Sequence, residues 1–291
     1  MSRLLLSAAA LALVTGVAHA ADFPPPPAPV STAPMWAGFS VGVNAGGSWS
    51  NGGATDVVTW PTNALAGYWT TASLLTGGHP VGSAAGFIGG GQVGYNWRTD
   101  LQGYGIVAGL EADIQGIAGG KNAGQSPMSA MVRPFSNHSN FETYSATRST
   151  SALSYLGTAR GRLGLLVAPK LLVYGTGGLA YGEASLSLSQ FQQFGVAVGS
   201  AYSSTAKTLA GWTAGAGVAW MFMPGWSVKA EYLYYDLGKL TTSNTFVAFG
   251  TAGPQWTYDA YANQRFNGNI VRAGVDYHFN LDTAAPVVAT D

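Results

Sequence analysis

Only 9% of the 291 residues are charged, so the residues suited to chemistry are few and easily found. Two of them stand together in YGIVAGLEADIQG, Tyr104 to Gly116, where Glu111 and Asp113 interrupt an apolar run. Residues two apart on a strand point the same way, so the two carboxylates share a face and need partners there. His278 lies on the polar side of the segment NIVRAGVDYHF, while His79 and His138 fall in polar connections. No two histidines have metal-ligand spacing, and the chain has no cysteine. No metal site is therefore expected. His138-Ser139 is the one neighbouring pair a hydrolase might use, and its plain reading is a polar loop. The run Gly175-x-Gly177-x-x-Ala180 matches the spacing of a dinucleotide fingerprint. That motif needs a helix to present its N-terminus to pyrophosphate. The next segment, EASLSLSQF, alternates like a strand, so no cofactor is expected. The formal net charge is zero, which removes the electrostatic case for nucleic acid.

The elements that must carry these residues read as strands. Before them, MSRLLLSAAALALVTGVAHA has one positive charge, an apolar core and an A-x-A site. Residues 1–20 are expected to be a secretory signal peptide. The apolar stretch is short for a membrane helix. ADFPPPPAPVSTAP contains four consecutive prolines, so residues 21–35 are expected to form a polyproline-type periplasmic leader. From Trp36, apolar and polar residues alternate with period two in eight segments. Phe39, Val41 and Val43 oppose Ser40, Gly42 and Asn44; Val93, Tyr95 and Trp97 oppose Gln92, Gly94 and Asn96. Ile106, Leu110 and Ile114 oppose Glu111 and Asp113; Leu163, Leu165 and Val167 oppose Arg160 and Arg162. LLVYGTGGLAYG is a strand whose facing alternation leaves open. Trp212, Val218 and Trp220 oppose Thr213, Gly215 and Gly217. Val228 and Tyr232 oppose Lys229 and Glu231. Val271, Val275 and Tyr277 oppose Arg272, Asp276 and His278.

Short connections at RTDLQG, APK and PG alternate with four long ones, roughly 50–84, 117–150, 188–207 and 238–268. Short turns at one end and long connections at the other are the pattern of a transmembrane antiparallel up-and-down β-barrel. The expected fold is therefore all-β: eight strands over residues 36–279, short periplasmic turns, long extracellular loops and a tail at 280–291. A water-soluble barrel would cover its outer face with Lys, Glu, Arg and Asp, and each strand here offers two at most. The apolar face is accordingly assigned to lipid. Trp36, Trp97, Trp226, Tyr232, Tyr234, Tyr277 and Phe279 are assigned to interfacial girdles. The polar face collects Glu111, Asp113, Arg160, Arg162, Lys229, Glu231, Arg272 and Asp276, four negative and four positive. An eight-stranded barrel is just wide enough for side chains to fill, and unpaired buried charge is costly. A self-satisfying lumenal network is expected, its pairing left open because register is unknown.

With these segments laid out, the chain resembles the alphaproteobacterial Omp25/Omp31-type outer membrane proteins, OmpA-like eight-stranded barrels. The resemblance rests on WAGFSVGVNAGGSW, GFIGGGQVGYNW, GLEAD, RGRLG, YGTGGLAYG, GWTAGAGVAW, WSVKAEYLYYDLG and VRAGVDYHF. It implies a bacterial outer-membrane location among lipid and lipopolysaccharide, insertion by the barrel assembly machinery, and roles in envelope integrity and surface antigenicity. Such proteins usually end at the last-strand aromatic, here Phe279; this chain continues with NLDTAAPVVATD. Three readings of function stay open at this point. The first is a structural envelope barrel that is not an enzyme. The second is a narrow porin-like channel for small solutes. The third is a surface adhesin or receptor binding an extracellular ligand through its loops.

Overall fold

A computed structural model describes residues 36–51, 53–62, 77–82, 84–132, 141–250 and 253–279. The signal peptide, the Pro-rich leader, His138-Ser139 and the tail at 280–291 lie outside the described residues. Among the described residues there are ten strands: β1 (Gly38–Ser50), β2 (Asp56–Pro61), β3 (Ala85–Leu101), β4 (Tyr104–Gly119), β5 (Asn122–Val132), β6 (Phe141–Ala168), β7 (Leu171–Phe194), β8 (Ala197–Met223), β9 (Trp226–Gly250) and β10 (Gly253–Phe279). Eight of them close a ring in the order β1-β3-β4-β6-β7-β8-β9-β10, sealed by antiparallel pairing of β1 with β10. Closure leaves no free sheet edge at the level of the lipid-facing band; higher up, the β8–β9 ladder is interrupted between Trp212–Asp236 and Gly199–Ala248.

The three short turns obey their local chemistry. Gln102 and Gly103 both have positive φ, 51° and 84°, as a two-residue type I′ hairpin requires. Pro224-Gly225, with Gly225 at φ 76°, suits a type II turn. Pro169-Lys170 joins β6 to β7. These turns and both ends of the barrel chain lie at one end, called lower here.

Among the described residues the last three long connections are themselves largely strand, and the first carries the short strand β2. β7 has 24 residues, about 80 Å at roughly 3.3 Å per residue, whereas about 9–11 residues cross an apolar bilayer core. β6 to β10 therefore continue well above the lower barrel as hairpins. There β2 pairs with β10 in place of β1, and β5 pairs with β6 in place of β4. Composition rich in Ser and Thr suggested irregular loops, yet the period-two pattern persists through them.

Side-chain chemistry inverts along these strands while the facing stays constant. In the lower part the outward residues are apolar: Val43, Leu163 and Leu179 are 65%, 64% and 68% exposed. Higher on β7 the outward residues become Glu183, Ser185, Ser187 and Ser189, and the inward ones Ala184, Leu186 and Leu188. On β10 the outward residues pass from Val275 and Val271 to Arg265, Asn263 and Asp259, and the inward ones from Asp276 and Arg272 to Phe266, Ala262 and Tyr258. The lower part is built to meet lipid, and the upper part is built like a water-soluble β-barrel around an apolar core. Outward aromatics mark both edges of the lipid-type band. Trp97, Trp226, Tyr277 and Phe279 lie low, with Trp226 and Tyr277 rings 5.1 Å apart. Trp49, Trp212, Tyr232 and Tyr234 lie high, with Trp212 and Tyr234 rings 5.3 Å apart.

Candidate functional site

The interior is filled in three tiers. At the bottom, Val107, Leu172, Tyr174, Ala219 and Met221 form one buried cluster with Trp36. Trp36 was assigned to the girdle by its position at a strand start; the structure places it inside, 1% exposed. The reason lies in the chain path. Trp36 precedes the ladder, so alternation does not govern it, and Gly38, at φ 106°, turns the chain under the barrel. The indole N–H donates to the Pro169 carbonyl at 3.2 Å across the mouth, and the ring meets His278 edge-on at 5.8 Å. His278 Nε2 and Ser227 Oγ are 2.8 Å apart and buried. The remaining six girdle residues do point outward, with Tyr234 half-buried.

Above this floor, all eight charged residues of the polar face lie inside the barrel and together. Cross-strand register sets Glu111 directly opposite Arg160. Arg160 Nη2 donates to Glu111 at 2.6 Å and to Asp113 at 3.0 Å, while Nη1 donates to Glu231 at 3.0 Å. Arg272 reaches Glu231 through Nε at 2.8 Å and Asp113 through Nη2 at 2.9 Å. Lys229 Nζ donates to both oxygens of Glu111 at 2.8 and 2.9 Å and stands 3.8 Å from Asp276. Arg162 is held by Asn96 at 2.6 Å, lies 3.6 Å from Glu111, and stacks over the Tyr174 ring at 5.0 Å. The Arg160, Arg272 and Asp113 side chains have no solvent exposure. The set sums to zero charge, so the field it makes is short-ranged; most of its donors meet acceptors within the tier, while Arg162 Nε and Arg272 Nη1 are buried without one.

Neutral side chains complete the tier. Gln92 links Asn44 to Asp276, at 2.9 and 2.5 Å. Gln115 donates to Asp113 at 2.9 Å, and Thr158 accepts from Arg160 Nε at 3.0 Å. Tyr174 donates to Glu231 at 3.3 Å. Inward parity is the signal that identifies Gln92 and Asn96; Tyr174 carried no such signal because its strand alternates weakly. Gly217 leaves room for that phenol: a Cβ there would meet the Tyr174 hydroxyl at 2.6 Å. Above the charges, Ile88, Leu156, Leu186, Leu233, Phe246 and Ile270 belong to a larger apolar cluster that continues into the upper barrel.

The dinucleotide-type spacing finds no helix, and the hydrolase-like pair His138-Ser139 lies outside the described residues. Gly175, Gly177 and Ala180 lie on β7, which continues as strand to Phe194. His79 is paired with Asp56 at 2.9 Å on the surface. At the upper rim Arg265 clamps Asp236, its Nε 3.1 Å from Oδ2, and the Gly238 N–H donates to Oδ1 at 2.9 Å.

The chain matches the family model described as an outer membrane protein beta-barrel domain over residues 7–279. It is 33% identical over 202 residues to the 31 kDa outer-membrane immunogenic protein of Brucella melitensis, spanning 68% of each chain, and equally to its counterpart in Brucella suis. Among solved structures it is similar to the outer membrane protein OprG from Pseudomonas aeruginosa, at 10% identity and TM-score 0.34, over 84% of this chain and 97% of that one. A closed antiparallel barrel with an apolar belt, a family match over nearly all its length and these Brucella relatives converge: the chain belongs to the outer-membrane β-barrel family, of the Omp25/Omp31 type, and resides in the bacterial outer membrane.

Proposed function

We propose that this is a sealed, structural barrel of the envelope: it contributes to membrane integrity, presents a rigid surface for recognition as an antigen, and catalyses no reaction. One observation supports this reading above the rest. The interior is occupied from floor to crown by a Trp36 tier, a neutral charge network and an apolar core. An open porin lumen is wide, polar and wet; this one is narrow and closed by side chains at three heights. The narrow-channel reading is therefore the weaker one. The immunogenic character named for the Brucella relatives fits a surface built of hairpins that stand above the membrane and keep one shape. Insertion would run through the barrel assembly machinery, as for a strand-built membrane protein with no helix long and apolar enough to span among the described residues. Proteoliposome swelling tests the sealed reading. Vesicles carrying the refolded protein are expected to swell in small sugars no faster than empty vesicles. Swelling at the rate of a porin would overturn it.

A further inference from the structure

Every described arginine but one has a carboxylate partner. Arg98 pairs with Asp100, Arg265 with Asp236, and Arg160, Arg162 and Arg272 with the lumenal set. Arg148 is the exception. It stands on the outward face of β6, above the lipid-type band. Register places it in one row across four strands: Gln125 on β5, Arg148 on β6, Ser189 on β7 and Tyr202 on β8. All four are exposed. Among the described residues the Gln125, Arg148 and Ser189 side chains have no hydrogen-bond or ion-pair partner.

Tyr202 is held as a platform. Its hydroxyl hydrogen-bonds with Ser187 and Ser204. Ser204 is two residues along the same strand, roughly 7 Å away, and faces Ser187 across the ladder. The ring therefore lies along the sheet and turns one face to solvent, where the residue is 68% exposed. One row higher, Phe191 stands diagonal to it, and the Tyr144 ring lies 6.2 Å from that of Phe191. Both ladders of β7 are unbroken at this height, from Thr143–Phe194 to Ala152–Ser185 and from Phe194–Ala197 to Glu183–Thr208. The face is rigid, and it offers side chains rather than backbone edges.

The chemistry of the row selects its ligand. Rigid tyrosine beside serine supplies contact area and hydrogen bonds at low entropic cost, and an aromatic face attracts positively polarised C–H groups. A pyranose ring offers a C–H face and a rim of hydroxyls. A free guanidinium adds selection for a carboxylate, which it holds through two parallel hydrogen bonds. Arg148 and Tyr202 are two strand spacings apart, roughly 10 Å, a gap that the arginine side chain and a sugar carboxylate close from either side above Ser189. On β6 and β7 the nearest outward carboxylates, Glu142 and Glu183, are each six residues from the row, roughly 20 Å, so neither competes for Arg148. Glu183 is also where the outward residues of β7 turn polar, which sets the row beyond the head-group layer. We propose that the Gln125–Arg148–Ser189–Tyr202 row binds an extracellular acidic glycan, with a hexuronate ring stacked on Tyr202 and its carboxylate paired with Arg148. This binding goes beyond the sealed-barrel reading and does not depend on it, so conductance and glycan binding fail separately.

The test titrates a fluorescent hyaluronan tetrasaccharide, which carries carboxylates and no sulfate, into the refolded full barrel in zwitterionic nanodiscs. Arg148→Ala and Tyr202→Ala are each expected to bind about tenfold more weakly, the loss of one charge-assisted hydrogen bond or one stacked ring. Both side chains are exposed, and the heat-dependent gel shift checks that each variant folds. The tetrasaccharide with its carboxylates reduced to alcohols should bind wild type about tenfold more weakly, and should not distinguish wild type from Arg148→Ala. Lys170→Ala on the lower turn is expected to change nothing. Polyglutamate of equal charge should not displace the tetrasaccharide. Absence of binding to wild type at millimolar sugar, unchanged binding in either alanine variant, equal binding of the acid and reduced sugars, or loss of binding in Lys170→Ala would overturn the proposal. Displacement by polyglutamate would make this a surface for acidic peptides and overturn the glycan assignment.

Discussion

Replacing Arg160 by methionine removes the guanidinium that touches Glu111, Asp113 and Glu231 at 2.6, 3.0 and 3.0 Å. The tier then holds four carboxylates against three cations, in an interior where the Arg160 and Asp113 side chains have no solvent exposure. Removing one partner of a buried ion pair typically costs about 3–5 kcal/mol, because the charge left behind can neither pair nor hydrate. Arg272 and Lys229 already engage the same carboxylates and cannot fully replace what is lost. The expected destabilisation of Arg160→Met is therefore about 3–5 kcal/mol. Adding Glu231→Gln restores neutrality, so the double variant should cost less than the sum of the singles by about 1–3 kcal/mol. Urea unfolding of the refolded protein in liposomes, read by tryptophan emission and by the heat-dependent gel shift, measures both. Arg160→Met within about 0.5 kcal/mol of wild type, or strictly additive singles, would show that the network carries no net interaction energy.

Facing has further consequences. Leu110→Arg, at a position 59% exposed on the lipid side, is expected to cost about 2–4 kcal/mol, whereas Ser187→Lys on the upper outward face should be neutral in the same unfolding assay. Leu186→Ala, at a fully buried position in the upper core, should cost about 2–5 kcal/mol, although composition there suggests loop. The Arg265 hydrogen bond holds the Asp236 carboxyl below the usual carboxylate range. Its stabilisation is present above the unfolded carboxylate pKa, about 3.9, and is lost as pH falls through the lower folded value. Asp236→Asn should remove that part of the acid-induced loss in a pH series of unfolding curves. Mass spectrometry of the mature protein is expected to find Ala21 at the N-terminus, and deletion of residues 280–291 should leave the gel shift intact.

Eight strands were legible, and the facing of all but LLVYGTGGLAYG, because each crossing of the lipid band repeats one choice, apolar outward and polar inward. The lumenal charges were legible for the same reason: parity placed Glu111, Asp113, Arg160 and Arg272 on one side. Their pairing was not, since Arg272 reaches Asp113 across the barrel and register is a property of the closed ring. The upper hairpins were obscured by polar composition, although Leu186 and Leu188 alternating with Ser185, Ser187 and Ser189 carry the signal. It reads with inverted polarity, because that part of the barrel meets water. Trp36 misled because a girdle aromatic and a floor aromatic look alike at a strand start.

The central claim is that stacked side chains close this barrel. Planar-bilayer recording of single refolded molecules tests it most directly, under conditions where an open porin gives discrete steps. Wild-type protein is expected to insert, as shown by the gel shift of the same preparation, and to give no resolved conductance steps. A stable open level, reproducible between molecules and reduced by substituting larger side chains for Thr158 or Gly217 in the lumen, would contradict the account.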